Sequence, residues 1–491
     1  MSIEPNTPAT PRAEVTEMQE RAAVCEAVCS GTLGMRGHGT TYLPKWPLED
    51  EKEWQARRDA TAFFPAFERA VSTMVGKVLG EPIVRTNIPP DLDACFENID
   101  LAGRDLENWS QDVLFAAIRD SLTFVVVGYP IIPDAEKLSK AQEQAHGARP
   151  YLIHVPIKNV ISWFSHLENG KHVLDEFRYY ETTESKNQWA VVSTKKIRVL
   201  TPGAVQIFAQ NSSGEWVAED DPIPVTLKEV PVVCLYAKRT GFFTGIPPLE
   251  TLAWKNVEHW QSSSDQRNIL HIARVPIKFG KMLDLEDDGN GGEKLKISAS
   301  TILTSGQAEG DLKYVEHSGK AIESGEKDIT NIEDQMRRIA GEMLTSESGD
   351  ETATKTRREG KEGGSRLRSI AKRLEDGLEE CLRLMCAWTG KATTGTLAVN
   401  MDWDEEQVSD ALMATLTTGA QAGVVSQKTY SWNLKEAGRF PEDWSVDDEL
   451  EEIERENLSQ GPEPFATGNP AMAGIPPQGM KAGAPPVVAK P

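Results

Sequence analysis

Cys25 and Cys29 stand one helical turn apart with His38 close behind, and two thiolates and an imidazole make a zinc-type donor set. No fourth ligand is evident, and the competing reading is small side chains packed in a core. The acids from Asp284 to Gly289 resemble half of a calcium loop, but position twelve is Leu295 where a bidentate Glu is needed, which favours a solvated hairpin turn. His154, His166 and His172 are spread over a stretch of strand-like runs and read as surface or hydrogen-bonded histidines rather than as a triad or ligand set. Six Gly-Lys pairs occur and none is followed by Ser or Thr, so no phosphate-cradling Walker loop exists. Neither Gly-x-Ser-x-Gly nor His-Glu-x-x-His is found. No catalytic residue, metal or cofactor is therefore expected, and the chain reads as something other than an enzyme.

The bulk numbers agree with that direction. Lys and Arg number 53 against 75 Asp and Glu, a formal charge of −22. A protein that coats DNA needs the opposite balance, because affinity comes from cations that displace counterions from phosphates. At 491 residues the chain is long enough for two or three subdomains. The segment Met1–Glu20 has acids and prolines but no apolar run, so no signal peptide is expected. The longest apolar stretch, Phe124–Pro133, is too short to span a bilayer and reads as a buried strand. Six scattered cysteines without a Cys-x-x-Cys suggest a reducing compartment.

The elements that would position these residues follow from periodicity. Residues 1–20 read as disordered, as does the Pro/Gly/Ala-rich tail from Gly461 to Pro491. Phe64, Phe67, Val71, Met74, Val75 and Val78 form one apolar helix stripe opened by Pro65, and Leu106, Trp109, Val113, Ala117 and Ile118 form a second. From Tyr151 to Ala237, short apolar runs separated by turn residues predict one antiparallel meander. A long helix follows Ile246-Pro247-Pro248. Its stretch Gln261–Asn268 is polar all round, which predicts that it lies between like neighbours with one side wet. A small β-rich insert, Pro276–His317, comes next, then a second long helix on Ile329, Ile332, Met336, Ile339 and Met343. The polar segment Thr345–Gly364 reads as a loop, with Ser365 as the N-cap of a third long helix. Two short helices, Val408–Thr418 and Lys428–Ala437, and an acidic stretch, Asp443–Glu456, complete the pattern.

Both this order of elements and several local runs resemble the portal proteins of tailed double-stranded DNA bacteriophages. The run from Leu249-Glu250-Thr251-Leu252-Ala253-Trp254 to Trp260, with Ser263 and Asp265 beyond it, is similar to the first stem helix of one branch of that family. Ile99-Asp100-Leu101-Ala102-Gly103, with the helix and the strand ending Gly128-Tyr129-Pro130, resembles its wing. Thr352-Ala353-Thr354 resembles its tunnel loop, although Lys355 stands where an acid is expected. Gly423-Val424-Val425-Ser426 to Gly438 resembles its C-terminal helical turn.

The resemblance implies an α+β portal fold with an α/β wing over 42–245 after an N-terminal segment 1–41 that is partly disordered. It further implies stem helix 1 over 246–274, a clip over 275–325, stem helix 2 over 326–344, a tunnel loop over 345–364, a long wing helix over 365–402, a crown over 403–460 and a disordered tail over 461–491. It implies a homododecameric ring at one capsid vertex, present in the host cytoplasm during assembly and then in the virion. Partners would be transiting DNA, the terminase large subunit, the major capsid or scaffolding protein, and head-completion or tail adaptor proteins. Thr352, Thr354, Lys355, Arg357 and Arg358 would face DNA, while Leu252, Trp254, Val257 and Trp260 would pack the stem or subunit interface. An acidic channel wall would let phosphates slide. The runner-up is another ring-forming head–tail adaptor that does not gate DNA.

Overall fold

The computed structural model describes residues 7–130, 147–274, 277–281, 286–287, 293–294, 309, 311–315, 319–344, 353–401, 416–420, 422, 424–436, 445, 451 and 455. The tail from Gly461 and most of the acidic stretch Asp443–Glu456 lie outside them. Two compact units divide the chain at Asp404/Glu405.

The first unit is α+β. It opens with α1 (Ala13–Cys29) and α2 (Gly31–Gly37). Contrary to the expectation of a disordered start, Val15, Met18, Ala22, Cys25 and Val28 of α1 are buried. Their spacing of three and four is an apolar stripe hidden among acidic neighbours. Next come α3 (Glu51–Ala60) and α4 (Ala66–Val78), then β1 (Val84–Thr86). Helix α3 starts on a capping box in which Asp50 accepts from the Glu53 amide at 2.8 Å and Glu53 accepts from the Asp50 amide at 3.2 Å. The short α5 (Pro90–Asp93) and the amphipathic α6 (Leu106–Asp120) lead into β2 (Leu122–Gly128).

Strand β2 is flanked on both edges, by β3 (Tyr151–Pro156) and by β10 (Val232–Tyr236). Its side chains alternate between two cores. Val125 and Val127 join the helical core with α1, α4 and α6, whereas Leu122, Phe124 and Val126 join an aromatic core with Trp163, Phe177 and Phe243. In the latter, the Phe124 ring lies 5.0 Å from both Phe177 and Phe243. The second sheet holds β4 (Val160–Glu168), β5 (Lys171–Asn187), β6 (Ala190–Thr201), β7 (Ala204–Gln210) and β8 (Trp216–Ala218), with β9 (Ile223–Pro224) also on β7. The single predicted meander is thus two sheets. Runs 151–153 and 232–235 pair with β2 because that strand, apolar on both faces, needs neighbours on both edges. A small hairpin of β11 (Arg239–Gly241) and β12 (Thr244–Gly245) closes this region.

The helical half begins with α7 (Glu250–Ala273). In the insert, β13 (Ile277–Lys281) pairs with β16 (Asp311–Val315), and β14 (Glu286–Asp287) with β15 (Glu293–Lys294). Helix α8 (Lys320–Leu344) starts six residues before the expected stem boundary, and α9 spans Ala353–Thr389. The expected loop over 345–364 is therefore helical from Ala353, and Ser365 lies inside α9 rather than capping it. Lys, Arg and Glu, all good helix formers, outweigh the scattered glycines there. The helix ends at Thr389, and β17 (Thr396–Ala398) then pairs with β1, so 390–401 is not helical. Gly377 lets α9 close on β10, since a Cβ there would sit 1.9 Å from Leu235 Cδ2. In the second unit, residues 416–420 and α10 (Gln427–Glu436) are helical.

Candidate functional site

Helix α7 organises the helical half, and its polar residues are covered by the chain itself. The buried Asn256 side chain accepts from the Phe67 amide at 3.0 Å and donates to Phe64 O at 2.8 Å, fixing the entry to α4. Further along, Gln261 donates to Tyr42 O at 2.8 Å, Ser262 to Asp328 Oδ2 at 3.0 Å, and Gln266 to Ile322 O at 2.9 Å. The His259 ring nitrogen Nε2 lies 3.3 Å from Glu333 Oε1. The polar stretch Gln261–Asn268 was expected to need neighbouring copies. Instead it lies between the Tyr42–Ala60 region and α8, where each buried polar group finds a partner.

Of the four residues assigned to stem or intersubunit packing, Leu252, Val257 and Trp260 are core residues within this chain. The Phe63 ring meets the Trp260 indole edge-on at 6.1 Å. Trp254 alone stays 52% exposed, touching Tyr42 at 6.3 Å.

Sequence reading missed the node around Arg57. This side chain is 5% exposed and donates to both Glu49 carboxylate oxygens at 2.7 and 2.8 Å, to Pro44 O at 2.9 Å and to Ser264 Oγ at 3.2 Å. Its guanidinium lies 4.0 Å from the Trp46 ring centroid. Hydrogen bonds from Arg57 hold the Glu49 carboxyl below the usual carboxylate range. Burial raises Asp265 despite the same arginine at 3.6 Å. The node pins the 44–50 loop to α7 and leaves Leu48 wholly exposed with a left-handed backbone, φ 73°. Beside it opens a cleft of about 1000 Å³ lined by Trp46, Leu48, Ala60, Arg267, Leu270 and Arg274, among others.

Helix α8 is covered on one stripe only, with Ile332 and Met336 buried and Ile329, Ile339 and Ala340 half-buried. Among the described side chains its exposed charges are Glu323, Glu326, Asp328 and Asp334 with Lys320, Lys327, Arg337 and Arg338, and Glu333 is half-exposed. Thr352 lies outside the described residues, while Thr354, Lys355, Arg357 and Arg358 occupy the first two turns of α9.

The structure does not gather the other candidate chemistry. Cys25 and Cys29 sit in the helical core, where burial pushes both thiols up, Cys29 to about 12. His38 packs against Tyr42 at 5.3 Å instead. His154 meets Thr123 Oγ1 at 2.8 Å, His166 meets Asp175 Oδ1 at 2.8 Å, and His172 stacks on Phe242 at 4.6 Å. Burial lowers the His154 pKa to about 4. Among the described residues no group of three His, Cys, Asp or Glu is placed to hold a metal ion, and no helix is long and apolar enough to cross a membrane.

A protein family described as "Domain of unknown function (DUF4055)" matches residues 248–389. That span is α7, the β insert, α8 and α9. No curated protein matches the chain. Among solved structures it is similar to a chain of the virion of a native gene transfer agent particle, at 12% identity and TM-score 0.39, over 81% of this chain and 96% of that one. It is also similar to a chain of the neck of the native particle computed with C12 symmetry, at 12% identity and TM-score 0.38, over 74% and 86%.

Proposed function

We propose that this chain is the subunit of a bacteriophage portal, a ring at one capsid vertex through which double-stranded DNA is packaged and later ejected. The observation that carries this reading is the succession of elements. An α/β block is followed by a long helix, a small antiparallel insert, a second long helix packed back on the first, and a third long helix that returns to the α/β block. The hydrogen bonds Ser262 to Asp328 and Gln266 to Ile322 clamp the first two helices together, and Gly377 seats the third. The narrow buried stripe of α8 supports assembly, because a 25-residue helix with most of its surface uncovered is well placed to meet a neighbouring copy.

On this reading the protein is a conduit rather than an enzyme. A separate terminase supplies the motor, capsid or scaffolding protein surrounds the ring, and head-completion proteins dock later. The start of α9, with Lys355, Arg357 and Arg358, would meet DNA transiently. Negative-stain imaging and native mass spectrometry of the purified protein test the proposal. A closed ring of about twelve copies with an open bore is expected, since a heterologous contact must close. Monomers or dimers at micromolar concentration would overturn it. A ring too narrow for duplex DNA would favour the adaptor without a gating role.

A further inference from the structure

Beyond the position Glu181↔Lys196, strands β5 and β6 leave the sheet. Strand β4 pairs β5 only as far as Tyr179, and β7 pairs β6 only from Lys196. Residues 182–187 and 190–195 thus continue as a two-stranded ribbon, about 20 Å long at the usual strand rise. A ribbon with no third strand is marginal alone in water. Its residues nevertheless favour strands, with Thr182, Thr183, Val191, Val192 and Thr194. Its end is apolar: Trp189 is 98% exposed, Val191 67% and Val192 42%. The turn residue before Trp189, Gln188, has φ 52°, a left-handed conformation that a non-glycine side chain adopts only against strain.

The cleft beside α7 has a matching character. Leu48 is likewise a non-glycine residue held left-handed and wholly exposed. The cleft is lined by apolar Trp46, Leu48 and Leu270, by the acids Glu49 and Glu53, and by cations at the end of α7, where exposed Arg267 and His271 are followed by exposed Arg274 just past the helix. A cleft of about 1000 Å³ has room for an indole, and guanidinium groups are good partners for its face. These are two dissimilar surfaces on one compact unit, which is what a head-to-tail contact between identical copies requires.

We propose that the 182–195 ribbon of one copy inserts Trp189 into the cleft between the 46–48 loop and α7 of a second copy, locking neighbours in the ring. The inference rests on the ring reading and adds to it the residues that join the copies. Burying one indole removes about 150–250 Å² of side-chain surface from water, so the contact would supplement packing between helices rather than replace it.

The test uses the full chain. Trp189→Ala should keep the parent's melting temperature, because this side chain touches almost nothing in the free subunit. It should raise the concentration needed for ring assembly by about ten- to a hundred-fold, the range for losing an aromatic anchor, with partial rescue by Trp189→Phe. Arg274→Glu should weaken assembly in the same way. A chain carrying both Gln188→Cys and Leu48→Cys should give a ladder of covalent oligomers with a short bis-maleimide, and each single variant should not. If the parent forms rings, but Trp189→Ala assembles like it and no ladder appears, the ribbon does not join copies. If the parent remains monomeric, the ring reading fails and this contact fails with it.

Discussion

Replacing Arg57 with Ala tests the packing of the helical half most directly. The side chain makes four hydrogen bonds of 2.7–3.2 Å, two of them to a Glu49 carboxylate whose side chain is 4% exposed. Removing the arginine leaves that carboxylate buried without its counter-charge, which typically costs about 3–5 kcal/mol. If the unit Met1–Asp404 unfolds as one, its unfolding entropy is roughly 0.85 kcal/mol/K, so a loss of about 4 kcal/mol lowers Tm by about 5 °C. The pH dependence gives a second handle. Glu49 is held below its ordinary value of 4.5, so its contribution is fully present above that pH and fades as the carboxylate protonates below it. The deficit of Arg57→Ala should therefore be largest near neutral pH and shrink on acidification. The double variant Arg57→Met, Glu49→Leu should recover most of the loss, because two apolar groups leave no stranded charge. Differential scanning calorimetry across about pH 3–8 measures all three. A shift of less than about 1 °C, or a deficit that does not change with pH, would refute the account of the node.

Three further outcomes are expected. Gly377→Ala should lower stability by about 1–3 kcal/mol in urea unfolding, because its Cβ lands 1.9 Å from Leu235 and α9 must move off β10. Stability should decline as pH falls from 6.5 to about 4, since the unfolded chain protonates His154 while the folded chain resists, and His154→Gln should flatten that slope in thermal melts. Replacing Lys355, Arg357 and Arg358 together with Ala should leave assembly intact but alter DNA packaging or retention, with the difference shrinking at high salt. Packaging equal to the parent at low and high salt would make these side chains ordinary surface, and failure to assemble would make the segment an interface.

Elements with a clean apolar period were legible before the structure. Helices α4, α6 and α8 each show the stripe that they bury, and the run at Phe124 reads directly as a buried strand. Helix α1 buries Val15, Met18, Ala22, Cys25 and Val28 at steps of three and four, but four acids and Arg21 within the helix mask that period in a composition-based reading. The start of α9 was misread because several glycines suggest a loop, whereas the charged residues between them favour helix. For α7, polarity was a poor guide to exposure: Asn256, Ser264 and Gln266 are buried because distant segments supply their partners. The Arg57 node could not be read from local pattern at all. It joins residues 44, 49, 57 and 264, and nothing in the spacing of an arginine announces a serine more than two hundred positions later.

The sharing of β2 between two cores has a consequence for how the protein is made. Trp388 donates its indole N–H to Val127 O at 2.9 Å, across 261 residues, and Leu374, Leu378 and Leu382 of α9 complete the same core as Val125 and Val127. At ordinary synthesis rates of about 5–20 residues per second, roughly 13–50 s pass between the emergence of Val127 and that of Trp388. Throughout that interval one face of the strand awaits a helix that the ribosome has not yet delivered. Slowing translation between Phe243 and Trp388 should therefore increase capture of nascent chains by chaperones, although by then the chain of the aromatic core on the opposite face is complete.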